Sequence, residues 1–305
     1  MYRKIKNFIP TYVKSEIKVY LKKIKIRIPK FVINFINLNT STKKFNGFKF
    51  KFYTQDLLSV NSIGKSLDWE PHIMKFSEIY LSDKKSSNIV DAGAHIGYHT
   101  LNFAKLTTGT VYSFEPQPQN YKLLMYNFKI NEITNISPFM IGLSDVKKYY
   151  KIPIISKSLK LGNMGDFTLN NLTSNLYIKI LSDTLDSFKF KDISLIKIDV
   201  QGWEKKVLTG AKETIEKYKP VIIIELEKHQ LVKTNTTVEN LLETIRQLNY
   251  SIFYLEHSYP SDHICVHESE LNNFSEKFNK HIFKHEKNNA INENFKLGIN
   301  KKIVM

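Results

Sequence analysis

Four residues in one part of this chain have the types and spacing of a nucleotide-type binding turn. Residues 88–100 read NIVDAGAHIGYHT, in which an apolar run ends at Asp91 and leads to Gly93 and Gly97. A second apolar run ends at Glu115, 24 residues after Asp91. Glycines permit a tight passage from strand to helix, and an acid about 20 residues further on can accept hydrogen bonds from ribose hydroxyls. The pattern therefore predicts a site for a nucleoside-containing cofactor.

The glycine spacing limits which cofactor fits. A dinucleotide turn has three glycines in the pattern G-x-G-x-x-G, whereas this turn has only Gly93 and Gly97, so a pyrophosphate has no cradle. A nucleoside with a small charged tail fits better, and S-adenosylmethionine is such a ligand. His95 lies inside the turn, although a structural role in the loop is its alternative. The predicted cofactor-binding set is Asp91, Gly93, His95, Gly97 and Glu115.

Further acids and a histidine follow the later apolar runs. Asp199 ends the run in IKIDVQGWE, and Glu225 ends the run in VIIIELEKH. Ligands of open α/β sheets bind beyond the carboxyl ends of the strands, so both carboxylates are predicted to face one cleft. The candidates for catalysis, chiefly by removing a proton from a substrate, are Asp199, Glu204, Glu225 and His229. An alternative role for Glu204 is to place its negative charge at a helix N-terminus. A metal site formed by Asp199, Glu225 and His229 is a less favoured interpretation.

The elements that must position these residues alternate between strand and helix. Such alternation predicts a parallel sheet covered on both faces, closed by two antiparallel strands. A loop-rich insertion at residues 142–185 interrupts this alternation of strands and helices, and a helix at 69–81 precedes the first strand. Strands are predicted at 89–92, 111–114, 136–141, 195–200, 221–226, 251–255 and 263–267, and helices at 97–106, 120–130, 204–218 and 238–248.

The positive charge is concentrated at the start of the chain. Residues 1–51 hold fourteen Lys and Arg against one acid, so they carry +13 of the net charge of +16 and leave +3 for residues 52–305. Residues 1–28 follow helical spacing and predict a basic amphipathic helix. We expect it to dock on its own domain or on a second copy, and a peripheral membrane contact of residues 1–30 is the alternative.

Composition restricts the cellular setting and the domain plan. The single Cys265 excludes an internal disulfide framework, and the lack of a long apolar run or secretory signal predicts a cytoplasmic protein. We divide the chain into a helical extension at 1–40, a lead-in segment at 41–84, a catalytic core at 85–268 and a polar tail at 269–305, helical in part.

Six motifs together resemble the FkbM-type methyltransferases. They are IVDAGAHIGYHT, SFEPQPQN with Asn127 and Asn131 downstream, GNMGDF, TLDSF, ISLIKIDVQGWEKKVLTGA and PVIIIELE, and they cover residues 85–268 in order. The resemblance implies a class I methyltransferase fold, with a mostly parallel seven-stranded sheet and helices on both faces. It also implies S-adenosylmethionine-dependent O-methylation of a sugar, glycolipid or other small acceptor.

By the same resemblance, Asp91, Gly93 and Gly97 would form the loop around the methionine part of the cofactor, and Glu115 would bind the ribose. Two positions depart from the family pattern: His95 stands where Asn is usual, and Gln201 stands where Glu is usual. Because position 201 holds Gln in place of the usual Glu, we do not predict a catalytic role for it.

Two other functions are compatible with these residues. An RNA 2′-O-methyltransferase shares the fold but needs a basic groove, and the nearly neutral residues 52–305 argue against a nucleic-acid partner. A non-catalytic module would keep the fold for binding or assembly. The proton acceptor of an O-methyltransferase is predicted among Asp199, Glu225 and His229.

Overall fold

A computed structural model describes residues 38–153, 177–256, 262–286 and 296–297. The helix predicted at 1–28, and with it most of the basic extension, lies outside the described residues. None of the described helices is both long enough and apolar enough to cross a membrane.

A central sheet of seven long strands forms the frame of the protein. Four neighbouring pairs are parallel, and the two last long strands are antiparallel neighbours, as the alternation of elements predicted. A two-residue strand adds an eighth member at one edge. In spatial order the strands are β13 (Lys296–Leu297), β11 (Tyr250–Glu256), β12 (Asp262–His267), β10 (Val221–Glu225), β9 (Ile193–Ile198), β3 (Asn88–Ala92), β4 (Val111–Phe114) and β5 (Ile136–Phe139).

The sheet is buried on both faces because alternate strand residues enter two different apolar cores. On β10, Ile222 and Ile224 join one core, while Val221 and Ile223 join the other. The first core packs against the helices α5 (Glu204–Thr209), α6 (Lys212–Tyr218) and α8 (Val238–Gln247). The second packs against α2 (Pro71–Leu81), α3 (Tyr98–Leu106), α4 (Pro118–Ile130) and α9 (Leu271–Glu286).

The segment predicted as a loop-rich insertion contains regular structure at both of its ends. The strands β6 (Gly142–Leu143), β7 (Lys148–Pro153) and β8 (Tyr177–Asp183) form a three-stranded sheet in the order β6-β8-β7. Its inner side chains, such as Tyr150 and Ile180, join the first apolar core. The loop prediction was therefore wrong for these strands, whose polar and apolar residues alternate only over a short length.

Two further elements differ from the prediction. The helix predicted at 204–218 is broken between α5 and α6, where Gly210 lies so close to β6 that a Cβ there would be 1.9 Å from the Ser144 carbonyl oxygen. A short helix, α7 (Lys228–Val232), follows β10 and covers the turn before α5. Another short helix, α1 (Leu57–Asn61), lies in the lead-in segment.

A hairpin in the lead-in segment is joined to the core by two asparagines. It consists of β1 (Thr40–Phe45) and β2 (Phe48–Tyr53). Asn127 on α4 accepts a hydrogen bond from the Lys51 backbone N–H and donates to the backbone oxygens of Lys51 and Ile96. One helical turn later, Asn131 makes the matching pair of bonds with the backbone of Lys49. The two asparagines of the sequence motif are thus structural residues that bond an edge strand.

Replacing Asn127 with Ala should lower the free energy of unfolding by about 2–4 kcal/mol, because it removes the partner of the buried Ile96 carbonyl and of the part-buried backbone groups of Lys51. Asn131→Ala is the matched control: its two bonds to Lys49 are exposed, water replaces them, and the loss should stay below about 1 kcal/mol. Urea denaturation of both variants measures the difference. Equal losses would contradict this account of Asn127.

Candidate active site

The turn after β3 lies against the end of β9. At Gly93, where φ is +86°, an added Cβ would be 1.7 Å from the Asp199 carbonyl oxygen. At Gly97, where φ is +91°, it would be 2.5 Å from Cδ1 of Leu124. Gly93 is therefore needed for contact between two backbone segments, and Gly97 for packing α3 against α4.

The Glu115 carboxylate ties the turns after β3 and β4 together. One oxygen accepts a hydrogen bond from the His95 backbone N–H at 2.9 Å, and the other accepts one from the Gln117 backbone N–H at 2.8 Å. Burial, opposed in part by these hydrogen bonds, raises the pKa of Glu115 to about 7. Each carboxylate oxygen keeps a further lone pair for a ligand hydroxyl.

Asp91 lies behind the turn and is fully buried. The Thr100 hydroxyl donates to one of its oxygens, and the other oxygen has no hydrogen-bond partner among the described residues. Of the predicted cofactor-binding set, Gly93, His95 and Glu115 line the cavity beside the turn. Asp91 and Gly97 lie outside this lining.

This cavity runs from Glu115 to the carboxyl end of β9. Its empty space is about 820 Å³, including the part open to solvent. Its lining consists of Leu58, Trp69, Ala92, Gly93, His95, Phe114, Glu115, Pro116, Gln117, Asn120, Ile141, Gly142, Leu143, Ile152, Asp199, Val200, Gln201 and Trp203.

Asp199 is held at one end of the cavity by two donors. Nζ of Lys197 lies 3.0 Å from one carboxylate oxygen, as expected for side chains two apart on one strand, and Nε2 of Gln201 donates to the other at 2.9 Å. The same Gln201 nitrogen donates to Glu225 at 3.0 Å. The structure thus brings Asp199 and Glu225 together through an amide that the sequence reasoning had set aside.

The two carboxylates differ in their electrostatic surroundings. Burial raises the pKa of Glu225 far above its ordinary value, and the nearby charges of Asp199 and Glu227 raise it further. Burial alone would lower the pKa of Lys197, but Asp199 and other nearby carboxylates outweigh that effect and raise it. Lys197 therefore stays charged beside Asp199, while Glu225 holds its proton.

Of the four predicted catalytic residues, Asp199 belongs to the cavity lining, whereas Glu225, Glu204 and His229 do not. Glu204 is buried at the start of α5, where one oxygen accepts hydrogen bonds from the backbone N–H groups of Val200 and Gly202 at 3.2 and 2.9 Å. His229 lies on α7 with 62% of its side chain exposed, and its Nε2 is 3.0 Å from Glu227. Among the described residues, no group of three or more His, Cys, Asp or Glu side chains is arranged to hold a metal ion.

Sequence reasoning missed several polar and aromatic residues of the site. Gln117 is buried, donates to the Pro153 carbonyl at 2.9 Å and has a side-chain oxygen without a described partner. Trp69 comes from the lead-in segment and packs edge-on against the His95 ring at 5.7 Å. His99 bonds Glu70 at 2.8 Å and lies outside the cavity lining.

The sequence matches the family model of the methyltransferase FkbM domain over residues 91–252, slightly more than half of the chain. The chain belongs to the FkbM methyltransferase family. The resemblance found in the motifs is thereby confirmed, and the sheet has the α/β class I methyltransferase architecture expected for this family.

Other FkbM-related and methyltransferase chains are similar over part of their length. "Methyltransferase 1" of Beauveria bassiana (strain ARSEF 2860) is 28% identical over 144 residues, which is 41% of this chain and 58% of that protein. The chain thus matches little more than half the length of this curated relative. The solved structure of methyltransferase FkbM from Methylobacillus flagellatus KT is 18% identical, with a TM-score of 0.42, and the match covers 59% of this chain and 44% of that one. An O-methyltransferase from Bacillus cereus, solved in complex with SAH, is 14% identical with a TM-score of 0.40, over 82% and 96% of the two chains.

Glu204→Gln should remove a pH dependence of stability. Burial raises the pKa of Glu204 to about 7, above its ordinary value of 4.5, so its contribution to stability is fully present below pH 4.5 and is lost as the pH rises through 7. The variant has no such titration, and its stability relative to the wild type should rise by about 2–3 kcal/mol between pH 4.5 and 8. Denaturant unfolding across this range, with the exposed Glu243→Gln as control, measures the change. A constant difference between wild type and variant would refute it.

Proposed function

We propose that this FkbM-family chain is an S-adenosylmethionine-dependent O-methyltransferase acting on a hydroxyl of a sugar, glycolipid or other small acceptor. The observation that carries the proposal is one continuous cavity that joins the Glu115 carboxylate to the Asp199 carboxylate. A donor bound at the first group and an acceptor bound at the second would lie next to each other. Holding two reactants in such proximity supplies much of the acceleration of a transfer reaction.

The residues at the Glu115 end fit the cofactor. Glu115 has lone pairs for two ribose hydroxyls, and the side-chain oxygen of Gln117, which has no partner among the described residues, is an acceptor beside it in the lining. The turn at Gly93 leaves backbone, without a side chain, facing the cavity. When bound, S-adenosylmethionine supplies a methyl group activated by its sulfonium charge.

The residues at the other end suit a hydroxyl acceptor. Asp199 keeps 24% of its side chain exposed, and its carboxylate can accept a hydrogen bond from an acceptor hydroxyl. Gln201 adds an amide between Asp199 and Glu225. Because Lys197 and Gln201 already donate to Asp199, we assign it the role of orienting the acceptor.

The affinity for S-adenosylmethionine should fall as the pH is lowered from 8 to 6. The pKa of Glu115 is raised to about 7, and only its ionised form accepts hydrogen bonds from both ribose hydroxyls. Glu115→Gln should weaken binding at pH 8 by roughly 10- to 100-fold and flatten the pH dependence. Isothermal titration calorimetry measures both effects.

Glu78→Gln, a change at an exposed glutamate of α2, is the control for that titration. It reports the pH dependence that belongs to the ligand itself. A wild-type protein that bound no S-adenosylmethionine at millimolar concentration would refute the enzyme proposal and favour a non-catalytic module.

Transfer of a labelled methyl group should go to sugar hydroxyls. The test offers methyl hexosides, methyl 6-deoxyhexosides and a short RNA to the full chain, and mass spectrometry locates the methyl group. Asp199→Asn should lower the transfer rate at least about 100-fold while cofactor affinity stays within about threefold, because its neutral side chain orients the acceptor less strongly. Transfer to the RNA alone would replace the small-acceptor proposal with the 2′-O-methyltransferase.

A further inference from the structure

His95 has a buried ring in the cavity wall whose nitrogens have no hydrogen-bond partners among the described residues. Its backbone is anchored by the bond to Glu115, with φ at +50°, and the ring lines the cavity beside Trp69. The residue is 9% exposed, and neither ring nitrogen makes a hydrogen bond among the described residues. Buried polar side chains are nearly always paired, so such an exception calls for an explanation.

A buried carboxylate lies at one edge of the ring. Asp56, directly before α1, is 1% exposed, and one of its oxygens lies 3.6 Å from Nε2 of His95. The Ser59 hydroxyl donates to the same oxygen and so fixes the carboxylate. An imidazole with a carboxylate at one nitrogen and a free second nitrogen is the arrangement of an oriented general base. Distances in such pairs are often long before the substrate binds.

The surrounding charges keep this imidazole ready to accept a proton. Burial lowers the pKa of His95, and the charge of Lys197 lowers it further, while Asp56 and Asp199 act in the opposite direction. The net result is a lowered pKa, so the ring is neutral at neutral pH. With the Nε2 proton directed to Asp56, Nδ1 carries the free lone pair.

We propose that His95 is the general base of the methyl transfer and that Asp56 is its positioning residue. The assignment rests on the proposed O-methylation. The acceptor oxygen forms a bond to the methyl carbon as the carbon–sulfur bond breaks, and the sulfur keeps that electron pair. The hydroxyl proton passes to Nδ1 of His95, and the resulting imidazolium is stabilised by Asp56 and later releases its proton to solvent.

This assignment explains why Asp199 and His95 both line the cavity. Asp199 is already engaged by Lys197 and Gln201, so it is suited to hold the acceptor hydroxyl. His95 has a lone pair that nothing else in the described residues uses. The residue at the carboxyl end of β9 therefore orients the acceptor, and the residue in the turn after β3 removes its proton.

The first test needs no acceptor. Long-range proton–nitrogen NMR of the full chain with labelled histidines, assigned through His95→Asn, should show His95 neutral at pH 7 with its proton on Nε2. Asp56→Asn should lower the His95 pKa further, because it removes a negative charge. A charged ring at pH 7, or a proton on Nδ1, would overturn the assignment.

The second test uses the methyl glycoside that the wild-type protein methylates fastest. Asn tolerates a positive φ and cannot accept the proton, so His95→Asn should lower kcat, measured at saturating cofactor, by about 10²–10⁴-fold. The rate of the wild type should rise with pH through the His95 pKa, and this rise should disappear in His95→Asn. In Asp56→Asn the rise should move to lower pH.

His99→Asn is the matched control, because it removes an imidazole that bonds Glu70 and lies outside the cavity lining. It should keep kcat within about threefold per folded molecule. His95→Gly with added imidazole provides a rescue test, since Gly accepts the backbone conformation and leaves space for the ring. Restored transfer supports the base assignment, while a fully active His95→Asn overturns it. A wild type that binds S-adenosylmethionine but methylates none of the glycosides would instead refute the sugar acceptor of the proposed function.

Discussion

The close approach of two backbone segments, the turn after β3 and the end of β9, is the constraint on which the site depends. Gly93 permits it, since any side chain there would overlap the Asp199 carbonyl. The contact places Asp199 directly beside the turn that carries His95. Glu115 then fixes that turn from the other side through the His95 backbone N–H. Three neighbouring strands, β4, β3 and β9, thus supply the polar groups of one cavity.

The buried charges around β9 serve to orient side chains and add little to the free energy of unfolding. Lys197 is 2% exposed and lies among carboxylates that raise its pKa, and a buried ion pair of this kind often contributes little net free energy. What Lys197 does is hold one oxygen of Asp199, while Gln201 holds the other. The ion pair therefore fixes the direction of a carboxylate that remains partly exposed to the cavity.

The sequence predicted those parts of the fold and site that depend on local pattern. Apolar runs located the central strands, and the rule for strand ends placed Glu115 and Asp199 at one edge. Asp56, which approaches the His95 ring, and Trp69, which lines the cavity, were not found because both come from the lead-in segment and no local signal records these contacts. His229 was placed next to Glu225 by sequence distance, but α7 begins directly after β10 and directs its side chain to solvent.

The two departures from the family pattern share a physical setting. His95 and Gln201 both have a positive φ, of 50° and 56°, both line the cavity, and they lie on the two sides of Asp199. Asn is enriched in this conformation, which accounts for the residue usual at the first position. In this chain the imidazole of His95 stands in place of the Asn amide, and the amide of Gln201 stands in place of the Glu carboxylate. With His95 as the proton acceptor, the exchanges are complementary: the cavity gains a base at one position and loses a carboxylate at the other. Gln201 can then donate to Asp199 and Glu225, where a carboxylate would repel Asp199 and could donate to neither group.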